Sequence, residues 1–346
     1  MYYEEIEAFC RKFDRTEKAY GFRAESIDAH RSWKEKSKIR LKEISGLIFC
    51  ESVERNGMFH SSETCGSYFR EYWTMETEPG ITMPFYLLRP ANANGAAVIC
   101  LHGHGGGKET TVRDFRFPSV YTRPEKYRDQ SLAEKLAEIG FFVLCPDERG
   151  SGERREVFQQ GDQAENWHSH SHRELMQIAL GFGQSVVGLA VWDLMCLVSF
   201  AQTIPEIDHK RIGCSGFSGG GLLTLWLAAL DERVRAAAVG GYFYGMKDSL
   251  IQMANNCSCN YVPNMWRTMD MGDLAAMIAP RPLFLENGES DPLNGERGLA
   301  NVYEQLEITQ KAYALYEAND RLIHRVHGGG HVWCGTGVPE FFERYL

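Results

Sequence analysis

The chain has 346 residues, 44% of them apolar and 24% charged, with a formal net charge of −9. This composition excludes the disordered and collagen-like classes, which need low hydrophobicity or a glycine repeat. An acidic balance does not attract phosphate backbones, so nucleic acid is not expected as a partner.

Length alone allows about two domains. Residues 1–46 are charged, with Trp33, Ile39, Leu41 and Ile44 at helical spacing and a stop at Gly46. They predict a helical extension, taken as residues 1–67, packed on a larger domain over 68–346. The opening Met1-Tyr2-Tyr3-Glu4-Glu5-Ile6 has neither a basic start nor an apolar continuation. An export signal is therefore not expected, and a cytoplasmic location is. Tyr68 to Leu88 turns to strand character, with Pro79-Gly80 as a hairpin turn.

Short apolar strands then alternate with helices. Strands are expected at Ala96–Leu101, Phe141–Cys145, Arg211–Gly216, Val234–Val239, Pro282–Glu286 and Leu322–Val326. Helices are expected at Ser131–Ile139, Ser185–Gln202, Gly219–Leu230 and Gly295–Leu315. The second of these is apolar nearly all round; Asp193 and Ser199 interrupt it and it is too short to cross a bilayer, so it should be buried. No membrane partner is expected. Alternation of this kind defines an α/β protein with a mostly parallel central sheet and helices on both faces. Three stretches, 103–128, 148–184 and 240–280, lack the pattern and predict long strand-end loops. Of the ten cysteines, Cys100, Cys145 and Cys214 lie inside apolar strands, where a free thiol behaves as a small hydrophobe. Disulfide staples are unnecessary in a chain this long.

The chemistry begins at Gly216-Phe217-Ser218-Gly219-Gly220-Gly221. This G-x-S-x-G falls between a strand and a helix, where a sharp turn would expose a serine at the carboxyl end of the sheet. Side chains at Gly216 or Gly220 would clash with the neighbouring strand and helix. An incidental serine in a glycine-rich turn is the competing reading, and the strand-before, helix-after context argues against it. Ser218 is the candidate nucleophile.

A serine nucleophile needs a base, an acid to orient it, and oxyanion donors. In this architecture acid and base follow the serine, each after a later strand. Asn287-Gly288-Glu289-Ser290-Asp291-Pro292 follows one strand, and His327-Gly328-Gly329-Gly330-His331 the next. Asp291 is preferred over Glu289 because Pro292 gives it turn geometry. His331 is preferred over His327 because three glycines let it reach back. The loop His102-Gly103-His104-Gly105-Gly106-Gly107-Lys108 follows the first buried strand, so the N–H groups of His104 and Gly219 are the expected oxyanion hole. A phosphate loop is discounted, because Glu109 follows Lys108 where Ser or Thr would be needed.

With these parts in order, roughly residues 68–346 resemble the α/β-hydrolase fold. Ile207-Asp208-His209-Lys210-Arg211-Ile212-Gly213 leading into the serine turn is similar to the dienelactone hydrolase and acetyl xylan esterase branch. So are Pro146-Asp147-Glu148-Arg149-Gly150 and Ile278-Ala279-Pro280-Arg281-Pro282-Leu283. The resemblance implies a cofactor-free serine carboxylesterase for small acyl esters, with acetylated carbohydrates among them. Dienelactone hydrolases carry a cysteine nucleophile, whereas this chain has Ser218. Acetyl xylan esterases of the cephalosporin-deacetylating type usually place Gln after the serine. Glucuronoyl esterases place Arg there and Lys three residues on. Gly219 and Leu222 stand at those places here. A peptidase similar to the prolyl oligopeptidases, or a binding protein on a hydrolase scaffold, are the alternatives.

Two further signals invite a metal. His168-Ser169-His170-Ser171-His172 reads as loop without a Cys or carboxylate at ligand spacing, and Cys257-Ser258-Cys259 lacks a second Cys/His pair nearby. No metal site is expected from either. Trp167, Tyr261, Trp266 and Trp333 lie in stretches expected to overhang the strand ends, where they could stack on substrate. Arg149 is expected to hold the 148–184 loop by ion pairs. The sequence leaves homo-oligomerisation open.

Overall fold

The structure, a computed structural model, describes residues 3–346 apart from 55, 113, 115, 118–131 and 162. Among the described residues nine strands form one sheet: β1 (Gly57–Cys65), β2 (Tyr68–Glu78), β3 (Ile81–Pro90), β4 (Ala97–Leu101), β5 (Phe142–Pro146), β6 (Ile212–Phe217), β7 (Val234–Gly240), β8 (Leu283–Gly288) and β9 (Leu322–His327). Their order is β1-β2-β3-β5-β4-β6-β7-β8-β9. The first three are antiparallel, β3 pairs antiparallel with β5, and every pairing from β5 to β9 is parallel.

Because side chains alternate across a strand, each buried strand supplies two cores. Ala97, Ile99 and Leu101 of β4 join Phe142 and Leu144 of β5 on one face, while Val98, Cys100, Val143 and Cys145 enter the other. Helix α1 (Ile6–Arg15) packs away from the sheet, with Phe13 edge-on to Trp266, and the first face is covered by α2 (Ile27–Ser45), α5 (Val186–Ala201), α6 (Gly219–Leu230) and α7 (Met271–Ala276), with the other helices numbered in the same chain order. The second face is covered by α3 (Leu132–Glu138) and α9 (Val338–Tyr345). Helices α4 (His172–Gly181) and α8 (Leu299–Ala314) also send side chains into the first core, and single-turn helices lie at Lys108–Thr111, Ala164–Trp167 and Met265–Thr268. Ser185 caps α5 by accepting the N–H of Gly188.

Several sequence expectations need correction. Residues 57–65, assigned to the helical extension, form β1. It is an edge strand with mostly exposed side chains, so the apolar alternation that marks a half-buried strand is missing. Ile39 faces solvent, 60% exposed, and Leu41, Ile44 and Leu47 carry the packing instead. The 148–184 stretch contains α4, and 240–280 contains α7, whose start is held by a reciprocal Asp270–Asp273 capping box. The helix expected from Gly295 begins at Leu299, because Asp291 caps a short turn over Pro292–Asn294 and Gly295 and Gly298 have positive φ. Part of the 103–128 stretch, and Ser131, lie outside the described residues.

Asp193, the one charge in α5, lies at the centre of a buried ion network. Its carboxylate accepts from Arg149 Nε (2.8 Å), Arg149 Nη2 (2.9 Å) and Arg154 Nη1 (2.8 Å), and Arg149 also donates to Glu78 of β2. Arg149 therefore ties the start of the 148–184 segment to both α5 and the sheet.

On β9, His324 donates from Nε2 to Asn287 Oδ1 at 3.1 Å, and burial pushes its imidazole down to about 4. The folded state thus binds fewer protons than the unfolded chain between about pH 4 and the ordinary imidazole range. The stability it contributes is complete above that window and is lost as pH falls through it. In His324→Gln, the fall in urea-unfolding stability across this window should be shallower than in the wild type. A slope equal to that of the wild type would refute the assignment.

Candidate active site

The loop after β6 places Ser218 at φ 57° and ψ −115°, a left-handed turn that a non-glycine residue adopts only when its surroundings enforce it. Those surroundings are visible. The Ser218 N–H donates to Gly240 O of β7 (2.8 Å), and Ser218 O accepts from Leu222 in the first turn of α6. A Cβ on Gly216 would stand 2.4 Å from the backbone of Gly220, and one on Gly220 would stand 2.5 Å from Leu101 O of β4. Gly220→Ala must therefore push α6 away from β4. We expect it to cost about 1–3 kcal/mol by urea denaturation and to lower activity; unchanged stability would show that the helix can shift freely.

His331 Nε2 accepts from Ser218 Oγ at 2.9 Å, and His331 Nδ1 donates to Asp291 Oδ2 at 2.8 Å. Asp291 is buried, and its second oxygen accepts the Leu293 N–H, so the turn that begins at Pro292 fixes the carboxylate. Beneath it Asn287 donates to Phe243 O and Asn294 Oδ1, and Asn294 donates to Gly288 O. Glu289 is exposed and stands apart from this arrangement. The return of the chain after β9 needs Gly288: a Cβ there would meet Gly330 O at 2.1 Å. Glu286 then accepts the N–H groups of Cys334 and Gly335, which anchors the far side of the His331 loop. The His331 ring lies tilted on Phe217, with centroids 4.7 Å apart.

The strap after β4 runs against the serine turn, since a Cβ on Gly103 would come 3.5 Å from Ser218 Cβ. The His104 ring fills the space beside Gly219; a Cβ there would lie 3.0–3.2 Å from three ring atoms. Lys108 is fully buried and donates to Asp147 (2.9 Å) and Glu153 (2.6 Å), so it holds the strap down and is not available to a phosphate. Burial would raise the Asp147 carboxyl, but Lys108, His102 and the N–H groups of Lys108 and Glu153 hold it below its ordinary value. Behind the strap, burial pushes the Glu148 carboxyl up to about 7, and one of its oxygens has no hydrogen-bond partner among the described residues.

The aromatic residues do not gather around Ser218. Trp333 is 5% exposed and packs flat over Gly240 in the second core, where a Cβ would overlap its ring. Tyr261 and Trp266 line a groove shared with Phe9 and Phe13 of α1, and none of Ser218, Asp291 or His331 lines it. Trp167 is buried under the Arg155 guanidinium, 4.2 Å from its ring. Trp167 and Trp333 are thus held in packing, and Tyr261 and Trp266, half-buried, face a groove away from Ser218.

The expectation of no metal-ligand set also changes. The structure brings His104, His172, Cys257 and Cys259 together, their ligand atoms all within 4.8 Å of one another. His172 starts α4, and Cys257-Ser258-Cys259 folds back against the strap, so the second pair that the sequence seemed to lack comes from two distant segments. The spacing along the chain carried no signal for this.

A parallel sheet with a strained serine turn after its central strand, and an acid and a histidine after two later strands, defines the α/β-hydrolase fold. The sequence profile of the Abhydrolase family matches residues 11–324, and the chain belongs to that family. "Putative hydrolase YtaP" of Bacillus subtilis (strain 168) is 25% identical over 229 residues, covering 64% of this chain and 70% of that protein. Among solved structures, a "putative acetyl xylan esterase" from Bacteroides fragilis superposes with a TM-score of 0.77 at 21% identity, over 95% of this chain and 83% of the other. A glucuronoyl esterase from Solibacter usitatus gives 0.66 at 14% identity, over 96% of both chains.

Proposed function

We propose that the protein is a serine carboxylesterase that hydrolyses small acyl esters, acetylated carbohydrates among them. The observation that carries the reading is the hydrogen-bonded series Ser218–His331–Asp291 on a strained strand-to-helix turn. Ser218 Oγ attacks the ester carbonyl while its proton passes to His331 Nε2, and Asp291 stabilises the imidazolium. The N–H groups of His104 and Gly219 receive the oxyanion at the start of α6, where the helix dipole favours negative charge. Collapse of the tetrahedral adduct expels the alkoxide, which takes the proton from His331 and leaves an acyl group on Ser218. Water then attacks the acyl carbon, gives its proton to His331, and releases the acid with Ser218 restored.

Supporting the ester reading are the structural neighbours described as acetyl xylan and glucuronoyl esterases. The side chain after Ser218 is only a hydrogen, in contrast to the Arg expected of a uronate-ester enzyme. Ten free thiols suit a reducing compartment, which fits a cytoplasmic enzyme.

The test uses p-nitrophenyl acetate and butyrate together with a fluorophosphonate probe. Turnover of either ester, and a covalent adduct mapped to Ser218, are expected. An adduct with faster cleavage of a chromogenic peptide amide would favour the peptidase. No turnover and no adduct would leave a binding protein on a hydrolase scaffold.

A further inference from the structure

We propose that His104, His172, Cys257 and Cys259 form a closed, four-coordinate zinc(II) site that fastens the strap after β4 to the two segments above it. The ligands come from three places in the chain: the strap itself, the first residue of α4, and a turn over residues 257–260. Cys259 Sγ lies 3.1 Å from His104 Nε2, and Cys257 Sγ lies 3.2 Å from His172 Nδ1. His172 and Cys259 are buried, and the other two are half-buried.

The hydrogen bonding around the cluster selects its chemistry. His172 Nε2 donates to the carbonyl of Arg149 at 2.9 Å, and a carbonyl can only accept. Nε2 therefore carries the ring proton, and the bare Nδ1 of the neutral imidazole faces Cys257. A backbone carbonyl fixing the tautomer from behind is what metal-ligating histidines ordinarily have. Asn260 donates to Cys257 O (2.9 Å) and approaches Cys259 Sγ (3.8 Å), and is itself held by Tyr242. These contacts fix the C-x-C turn with both sulfurs facing the imidazoles.

Two separate thiol–imidazole hydrogen bonds would satisfy each pair alone, but would give no reason for all four atoms to converge. A tetrahedron with Zn–S of about 2.3 Å and Zn–N of about 2.0–2.1 Å has edges of roughly 3.3–3.8 Å. To reach it the two S···N separations of 3.1 and 3.2 Å would open slightly, and the wider separations, all within 4.8 Å, would close. A mononuclear S2N2 set of thiolate and imidazole selects zinc, and four protein ligands leave no open position, so the ion is structural. Binding releases the two thiol protons, and two thiolates balance the dication's charge, which offsets part of the cost of burying it. His170 lies just outside the set, with Nε2 3.9 Å from Cys257 Sγ and its ring stacked on His172. The His104 ring reaches the cluster across the space beside Gly219, so the ion would position the strap next to the serine turn.

The experiment measures metal by mass spectrometry in the full-length protein, purified under reducing conditions without chelator and again after incubation with zinc and desalting. About one zinc per chain is expected, falling at least tenfold in the double variant Cys257→Ser/Cys259→Ser. Cys334→Ser should retain it; Cys334 belongs to a separate group with Glu286 and His327. Because the double variant could fail to fold, the wild type is also loaded with cobalt(II). Thiolate charge-transfer bands and intense tetrahedral d–d bands are expected. Wild-type protein that holds no zinc after loading, zinc unchanged in the double variant, or a cobalt spectrum without thiolate bands would each overturn the proposal. None of these readouts depends on ester hydrolysis, so the proposed activity stands or falls separately.

Discussion

Replacing Ser218 with alanine is expected to cut ester turnover by about three to six orders of magnitude. The fold should survive, because the hydroxyl makes its hydrogen bond to His331 while the turn is held by backbone contacts to Gly240 and Leu222. Asp291→Asn should cost about four orders of magnitude in kcat, since an amide can present a donor to Nδ1 and so favour the wrong tautomer. Glu289→Gln should leave turnover unchanged, because that side chain is exposed and outside the series. If the three groups act as a catalytic unit, Ser218→Ala/Asp291→Asn should be no slower than Ser218→Ala alone. Initial rates on p-nitrophenyl acetate decide all four outcomes. Equal rates in wild type and Ser218→Ala would remove the serine mechanism. Loss in Glu289→Gln with activity kept in Asp291→Asn would move the acid to Glu289.

The second large effect is on stability. Asp193→Ala should destabilise the protein by about 3–5 kcal/mol, the usual result of removing one partner from a buried ion pair. Asp193 sits in a helix that is otherwise almost wholly apolar, and its side chain is 3% exposed against 10% for Arg149 and 8% for Arg154. Glu78 remains for Arg149, whereas among the described residues Arg154 keeps only the carbonyl of Asp147. Burial would raise the Asp193 carboxyl, and the two guanidinium groups hold it below its ordinary value instead. Its stabilisation is therefore present above the ordinary aspartate range and is lost as pH falls beneath it. Urea unfolding at neutral pH measures the cost, and a loss under about 1 kcal/mol would mean that water or Glu78 compensates.

The parallel half of the sheet was legible because strands buried on both faces read as apolar runs, as β4 and β5 do throughout and most of β6 to β8 does. Edge strand β1 was not, because it is specified by hydrogen bonds to β2 and leaves most of its side chains in water. Ser218, Asp291 and His331 stood out because each lies within four residues after the end of a strand, a place visible in one dimension. The grouping of His104, His172, Cys257 and Cys259 was invisible for the opposite reason. It exists only where three segments meet, and each segment alone looks like an ordinary loop or turn. Trp333, Trp266, Tyr261 and Trp167 show a further limit: an aromatic residue near a strand end has the same sequence signature whether it greets a ligand or fills the interior.

The first 46 residues meet the rest of the protein along a seam that a chain break would not open. Ser45 O accepts both the N–H and the hydroxyl of Ser185, Gly188 has no room for a side chain against it, and His30 contacts Tyr316 and Ala276. Leu41, Ile44 and Leu47 belong to the main core. The protein should therefore behave as a natural candidate for fragment complementation. Cut between residues 51 and 56, the two pieces are expected to co-elute on size exclusion and to separate only in denaturant. A native nicked sample that splits into two peaks would show that the covalent link is what keeps them together.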